Sequence, residues 1–334
     1  MSDMTINEIA KAAGVSIATV SRYLNNGPVK EETRQKIEEI MLEMHYVPST
    51  FAKEIMNSQN QAIAILTHSM SNMYSSQFAE EVSKAYRERK IQCYTGCVTD
   101  AETEYRYLMD ITSRKINGII LHEPAEGQAQ IELYNRISMR IPLVMIHSFP
   151  AEDINCNSVT VDQKRGMKKS MEYLLSKGYR RIAYVSGTDG YSFTLKQTIW
   201  HDELQRAGIS VREEDWIKAE NTDFGSGIIN TKEAVLRYLD DKNYPDAIFT
   251  ANDIMAMGTL NALSERGIKV TDDMGLMSHD NTLLSQTLGL TCVDMKIKSV
   301  AITAMDLMEY AINGSDTTPR HVTITPEIII RQSC

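Results

Sequence analysis

From residue 62 onward the sequence alternates short apolar runs with longer amphipathic stretches. The runs are "AIAIL" (62–66), "GIIL" (118–121), "LVMI" (143–146), "SVTV" (158–161), "RIAYV" (181–185), "AIFT" (247–250) and "GLM" (275–277). Strands without polar alternation are buried on both faces, and the alternation with helices predicts parallel sheets clad in helices. Residues 62–334 are long for one such unit, so two sheets are expected.

The segment ahead of these runs has a different period. Thr5 and Glu8 have capping-box spacing, with Ile6, Ile9 and Ala10 at helical spacing behind them, so a short helix is expected to end at Gly14. Ser16 is placed to cap a second helix, with Val15 packing against Val20 as a staple. Two short helices across a tight Ala-Gly-Val turn make a helix-turn-helix, and a third, from about Glu31 to His45, brings Ile37, Ile40, Met41 and Met44 as a lid. In the second helix Val20 and Leu24 turn inward. Ile17, Ala18, Ser21, Arg22 and Asn25 then share the outer face, where an arginine can bond guanine and small apolar groups can meet thymine methyls in a major groove. A solvated face of a protein-interaction module would look alike.

Charge does not decide between them. The chain carries a net charge of -9. Up to Asn57, six basic residues (Lys11, Arg22, Lys30, Arg34, Lys36, Lys53) stand against eight acidic ones (Asp3, Glu8, Glu31, Glu32, Glu38, Glu39, Glu43, Glu54), a net of -2. Phosphate neutralisation supplies most non-specific DNA affinity, so a DNA reading must rest on geometry.

"TINEIAKAAGVSIATVSRYLN" and "VKEETRQKIEEIMLEMHYVPSTFAKEI" resemble the headpiece and hinge of the lactose-repressor (LacI/GalR) family of bacterial transcription factors, and the resemblance runs through the chain. Its most specific marks are the V-S-x-x-T-V-S-R core at Val15 to Arg22 and the Y-x-P at Tyr46 to Pro48. The resemblance implies a sequence-specific DNA-binding regulator, most often a repressor, that binds double-stranded operator DNA as a homodimer. Ile17, Ala18 and Arg22 become base readers in the major groove, with Thr5, Ser16, Thr19, Ser21 and Asn25 nearer to phosphates. Ser49 would cap a short hinge helix containing Ala52 and Ile55 that enters the minor groove. Ile55 stands where the family usually has Leu, and Lys30 where it usually has a helix-capping Ser; a β-branched wedge is stiff at χ1.

The implied organisation is a small all-α helix-turn-helix headpiece (1–46), a hinge helix and linker (47–61, with "NSQNQ"), and a core (62–334) for effector binding and dimerisation. That core is an α/β two-lobed, periplasmic-binding-protein-like unit of two parallel sheets flanked by helices. The N-subdomain is expected over about 62–157 and 288–316, and the C-subdomain over about 158–287 and 317–334.

Ligands of such sheets sit beyond the carboxyl ends of the strands. The residues directly after the runs are therefore candidates: His68 to Tyr74, His122 and Glu123, His147 and Ser148, Asp189, Asn252 and Asp253, and His279 to Asn281. Each also has a local role, as Asn252 does in capping the next helix. The resemblance assigns Met73 and Tyr74 to the N-subdomain side of an effector cleft, and Lys196, Trp200, Asn252 and Asp280 to the other. Trp200 would stack on the apolar face of a sugar while Asp280 accepts from adjacent hydroxyls. The family's usual Arg is Lys196 here, its usual Asp is His147, and its usual aromatic is His279. His68, His147 and His279 all follow strands, so the sequence places a pH response between pH 6 and 8 on histidine. The same three could ligate a transition metal, although two moving lobes make a poor cage.

Five cysteines (Cys93, Cys97, Cys156, Cys292, Cys334) lack zinc spacing and disulfide density. There is no G-x-x-x-x-G-K-[ST] loop, H-E-x-x-H helix or G-x-S-x-G elbow, so neither an enzyme nor a cofactor is expected. The first residues lack the apolar run of a signal peptide and no stretch approaches roughly 20 apolar residues, so a cytoplasmic protein with no membrane partner is expected. Two other readings stay open: a solute-binding receptor with the same core, disfavoured by the headpiece, and control by a protein partner, disfavoured by the lack of basic residues in "VAITAMDLMEYAING". The effector is expected to be a small molecule, a carbohydrate or its derivative.

Overall fold

The computed structural model describes residues 5–24, 27–44, 62–114, 116–150, 153–220, 224–240, 244–314 and 318–334. The chain divides into two compact units, 1–61 and 62–334.

In the first unit, α1 (Ile6–Ala13), α2 (Ile17–Leu24) and α3 (Glu31–Glu43) fall where the caps predict. The Glu8 carboxylate accepts from the Thr5 N–H at 2.7 Å and from the Thr5 hydroxyl at 3.0 Å. Gly14 closes α1 at φ 65°, a left-handed geometry that glycine adopts without strain. Ser16 Oγ then accepts from the Thr19 N–H at 3.1 Å and opens α2. Ile9, Ala10, Ala13, Val20 and Ile37 form the core, with Val15, Leu24, Ile40, Met41 and Met44 packed on it. Thr33 and Arg34 donate their N–H groups to the Lys30 carbonyl, so α3 starts at Glu31 with Lys30 before it.

The second unit holds β1 (Ala62–Thr67), α4 (Met73–Glu88), β2 (Gln92–Cys97), α5 (Ala101–Thr112), β3 (Gly118–His122), α6 (Gln128–Ser138), β4 (Leu143–Ile146) and β5 (Asn157–Val161). It continues through α7 (Gln163–Ser176), β6 (Ile182–Ser186), α8 (Tyr191–Arg206), β7 (Trp216–Lys218), α9 (Phe224–Leu239), β8 (Ala247–Thr250), α10 (Asp253–Glu265) and β9 (Gly275–Asp280). It closes with α11 (Leu283–Thr287), β10 (Thr291–Asp294), α12 (Ile297–Asn313), β11 (His321–Ile324) and β12 (Glu327–Ile329). Two six-stranded sheets result, ordered β11-β5-β4-β3-β1-β2 and β12-β10-β9-β8-β6-β7. The ladder pairs are parallel except β10 with β12. β1 is buried throughout; Ile63 and Ile65 feed one core cluster and Ala64 and Leu66 the other, as a strand covered on both faces must.

The lobe boundaries differ from the expected ones. β5 pairs with β4 and β11, so residues 157–161 belong to the first sheet, and β10 pairs with β9, so 291–294 belong to the second. The chain therefore changes lobe after Val161, after Asp294 and between Ile324 and Glu327. The strand "SVTV" precedes its crossing instead of following it. β2, β7, β10, β11 and β12 had no apolar run to announce them; β2, an outer strand reading "QCYTGC", is largely exposed.

In both sheets the order reverses beside the lobe's first strand, between β1 and β3 and between β6 and β8. Loops leaving such neighbouring strands diverge and open a crevice at their carboxyl ends. No helix among the described residues is long and apolar enough to cross a membrane.

Candidate functional site

On α2 the sides separate as the spacing predicts. Val20 is fully buried, whereas Ile17 is 50% exposed, and Ala18 and Arg22 are exposed beside it. Ser16 is exposed and Thr19 half-buried, their hydroxyls 2.9 Å apart, and Ser21 is half-buried. Thr5 is exposed, its N–H and hydroxyl engaged by Glu8. Asn25, Ser49, Ala52 and Ile55 lie outside the described residues.

Gly27 lies outside the helical spacing that marks the outer face of α2. Its N–H donates to the Arg22 carbonyl at 2.8 Å, and a Cβ there would stand 2.6 Å from Arg22 Cγ. Only glycine lets the chain pass this close over the stem of Arg22, so Gly27 is a positioning residue for that arginine.

In the second unit the loops beyond both switch points meet at a cleft of about 420 Å³. Tyr74, His147, Lys196, Asn252 and Asp280 line it, as expected. Asn252 caps α10, its side-chain oxygen accepting from the Met255 N–H at 2.9 Å, and it also lines the cleft. His147 shares a 2.8 Å bond between Nδ1 and the Phe149 carbonyl; a carbonyl only accepts, so the proton is on Nδ1 and Nε2 is an acceptor.

Lys196 is 5% exposed, and its ammonium donates to the Ala251 carbonyl at 3.0 Å. Burial lowers its pKa, opposed by the carboxylates of Asp280 and Glu123. Asp280 is pushed up to about 7 by burial, with Lys196 and the Asp253 N–H pulling it back. Behind it, burial and then Asp280 raise Asp253 to about 6, although Ser278, Thr282 and Ser285 donate to its carboxylate. Glu123 is raised by burial among protein groups and lowered by Lys196, and because it opens onto cleft water that shift is screened. Glu123 and Asp280, which line the cleft, have φ of 55° and 105°, and Asn281 beside Asp280 has 60°, backbone strain gathered next to the cleft.

Three assignments are corrected. Trp200 is 1% exposed and sits in the second lobe's core, its indole N–H on the Ile182 carbonyl at 2.9 Å and its ring stacked on Tyr184 at 5.8 Å; it offers no face to the cleft. Its position, one helical turn past Lys196, points it at the sheet. Met73 is half-buried at the start of α4 and does not line the cleft. His279 is fully buried beneath Asp280, its Nε2 lacks a hydrogen-bond partner among the described residues, and burial and Lys196 hold its pKa well below the usual value. His147 is lowered by burial too. Burial thus disfavours the charged form of His147 and His279, against the response expected of these two, whereas Asp280 is pushed up into that pH range. Among the described residues no group of three His, Cys, Asp or Glu could hold a metal.

Asp100, Glu126, Gln163 and Tyr191 also line the cleft. Glu126, from the first lobe, accepts from the Tyr191 N–H at 3.1 Å, across to the start of α8, and Ser192 donates to Gln163 at 2.7 Å. Tyr191 packs on a core cluster of the first lobe and Tyr74 on the core of the second. Gln163 follows "SVTV" by one residue beyond Asp162, and the strand-end rule applied to that run would have found it.

A helix-turn-helix unit with an exposed reading face, ahead of a two-lobed α/β core with a polar cleft, defines the class of ligand-responsive DNA-binding regulators. Residues 5–49 match the family described as bacterial regulatory proteins, lacI family, and 171–334 match the periplasmic binding protein-like domain. The HTH-type transcriptional regulator DegA of Bacillus subtilis (strain 168) is 32% identical over 337 residues, covering 98% of this chain and 97% of DegA. In fold, the chain is similar to the lac repressor bound to ONPG in its repressed state (TM-score 0.77, 22% identity, 100% of each chain). It is also similar to the transcriptional regulator CelR in its cellobiose complex (TM-score 0.70, 20% identity, 99% of this chain and 100% of that one). This chain belongs to the lacI family of bacterial regulatory proteins and is a DNA-binding transcriptional regulator.

Proposed function

We propose that the protein is a homodimeric repressor whose operator affinity is set by a carbohydrate held in the cleft between the lobes of its core. The observation that carries this reading is the convergence of Lys196, Asp280, Asn252 and Glu123 from separate segments around one cavity of about 420 Å³, a size suited to a small ligand. Asp280 and Glu123 accept from hydroxyls, the Asn252 amide donates, and Tyr74 and Phe193 supply ring faces. The cellobiose complex of CelR supports a sugar as the ligand class.

On the DNA side, Ile17 and Ala18 meet base edges, Arg22 bonds a base, and Ser16, Thr19 and Ser21 approach phosphates. Arg22 is the only basic residue on α2, so specificity concentrates on it. The unit's negative balance makes it a weak non-specific ligand, and two headpieces on a near-palindrome multiply their affinities. The test is selection from random duplexes by the full chain, followed by titration. It should yield a near-palindrome bound far more tightly than fragment 1–61 binds it. Equal affinity of fragment and full chain would overturn the dimeric reading.

A further inference from the structure

We propose that the effector carries no net negative charge: the cleft takes an uncharged or amine-bearing polyhydroxy compound and excludes phosphorylated and carboxylated sugars. The inference rests on the carbohydrate reading above and specifies its class. It follows from how the cleft's own positive features are already used.

Two features of an α/β cleft attract anions: basic side chains, and the free N–H groups at helix N-termini. Lys196 is the only Lys or Arg among the described residues that line the cleft. Its ammonium is committed to the Ala251 carbonyl and lies in the field of two carboxylates, Asp280 and Glu123. An incoming phosphate would compete with both and add a like charge beside them.

Protein side chains occupy the helix ends as well. At α4, Asn72 Oδ1 accepts from the Tyr74 and Ser75 N–H groups at 2.9 and 3.3 Å. At α5, Asp100 takes the Thr103 N–H at 2.8 Å and the hydroxyls of Thr103 and Thr99. At α8 the Glu126 carboxylate reaches over from the other lobe to the Tyr191 N–H. At α10, Asn252 caps Met255 and the Asp253 N–H is turned onto Asp280. Four helix N-termini that could have faced a phosphate already carry a protein acceptor, and at three of them, α5, α8 and α10, it includes a carboxylate. Asp189 adds a further exposed carboxylate to the lining.

What remains for a ligand is the negative charge of Asp280, Glu123 and Asp189, the Nε2 acceptor of His147, and uncharged donors such as the Asn252 amide and the hydroxyls of Ser69, Tyr74 and Ser148. That inventory suits ligand hydroxyls acting as donors, and it suits an ammonium.

The experiment is a thermal-shift and calorimetric panel on the full chain at pH 7.5. It runs pentoses, hexoses and disaccharides, each hexose as the parent sugar, the 2-amino sugar, the uronate and the 6-phosphate. The account predicts that at least one parent or amino sugar raises the melting temperature, and that its uronate and phosphate bind about 100-fold more weakly or not at all. In Glu123→Gln that gap should narrow about tenfold. A uronate or phosphate binding as tightly as its parent, or a gap unchanged in Glu123→Gln, would overturn the proposal. Silence of the whole panel would overturn the carbohydrate reading beneath it, a separate outcome.

Discussion

The proposed reading face and the proposed effector cleft are opposite constructions. On α2 the candidate residues lie within one short helix, water reaches them, and their positions follow from a period of 3.6 residues. In the cleft Lys196 comes from α8, Asp280 from the end of β9, Glu123 from beyond β3 and Asn252 from before α10, and their chemistry is set by burial and by one another. A surface face can be changed one side chain at a time with little effect on the fold. In the cleft each change leaves another charge without its partner, so stability and binding are coupled there and separable on α2.

Trp200 tests where the cleft ends. Trp200→Ala should cost about 3–5 kcal/mol of stability as a large core ring is lost. Trp200→Phe should cost about 1–3 kcal/mol, since the Ile182 carbonyl loses its donor, and leave effector affinity within a factor of about two. Denaturant unfolding and calorimetry read both. A loss of sugar binding with unchanged stability would return Trp200 to the cleft.

Lys196→Met should destabilise the core by about 3 kcal/mol at pH 8, where Asp280 and Glu123 both lack their cation, and by less at pH 6, where Asp280 is mostly protonated. Equal losses at the two pH values would mean that the ammonium is not the carboxylates' counter-charge.

Arg22→Ala should weaken operator binding by about 1–3 kcal/mol, relax one base position per half-site and leave the melting temperature unchanged. Equal losses on all duplexes would mean that Arg22 touches only phosphate. Gly27→Ala should give a weaker version of the same defect by displacing the arginine stem.

The smallest expected effect is that of pH on effector affinity. Asp280 sits at about 7 in the free protein, and sugar hydroxyls donating to it favour its ionised form. Affinity should be full above pH 7 and fall as pH drops, at most about tenfold per unit for one linked proton. Calorimetry at pH 6 and 8 reads it; a flat profile would place the ligand's hydroxyls elsewhere.

This difference in construction also explains how much the sequence disclosed. The capping residues Thr5 and Ser16, the turn at Gly14 and the buried Val20 are local patterns, so the headpiece was legible residue by residue. The interior strands were legible because burial on both faces removes polar alternation; outer strands such as β2 carry no such mark. In the cleft the strand-end rule found His68, Glu123, Asp189, Asn252 and Asp280. It could not say that Trp200 turns into the core or that His279 lies beneath Asp280, because these depend on packing within the second lobe, nor that Glu126 crosses to α8, which depends on how the two lobes face each other.

The central claim is that a ligand held by Asp280 controls a headpiece that does not contain it. The most direct measurement is anisotropy of labelled operator with wild-type protein and Asp280→Asn, titrated with the sugar that the panel identifies. Asparagine keeps the shape and tolerates the positive φ at this position. The account predicts equal operator affinity for the two free proteins, a sugar-dependent change in the wild type, and none in the variant at the same concentrations. An Asp280→Asn protein that still responds to the sugar at wild-type concentration would contradict it.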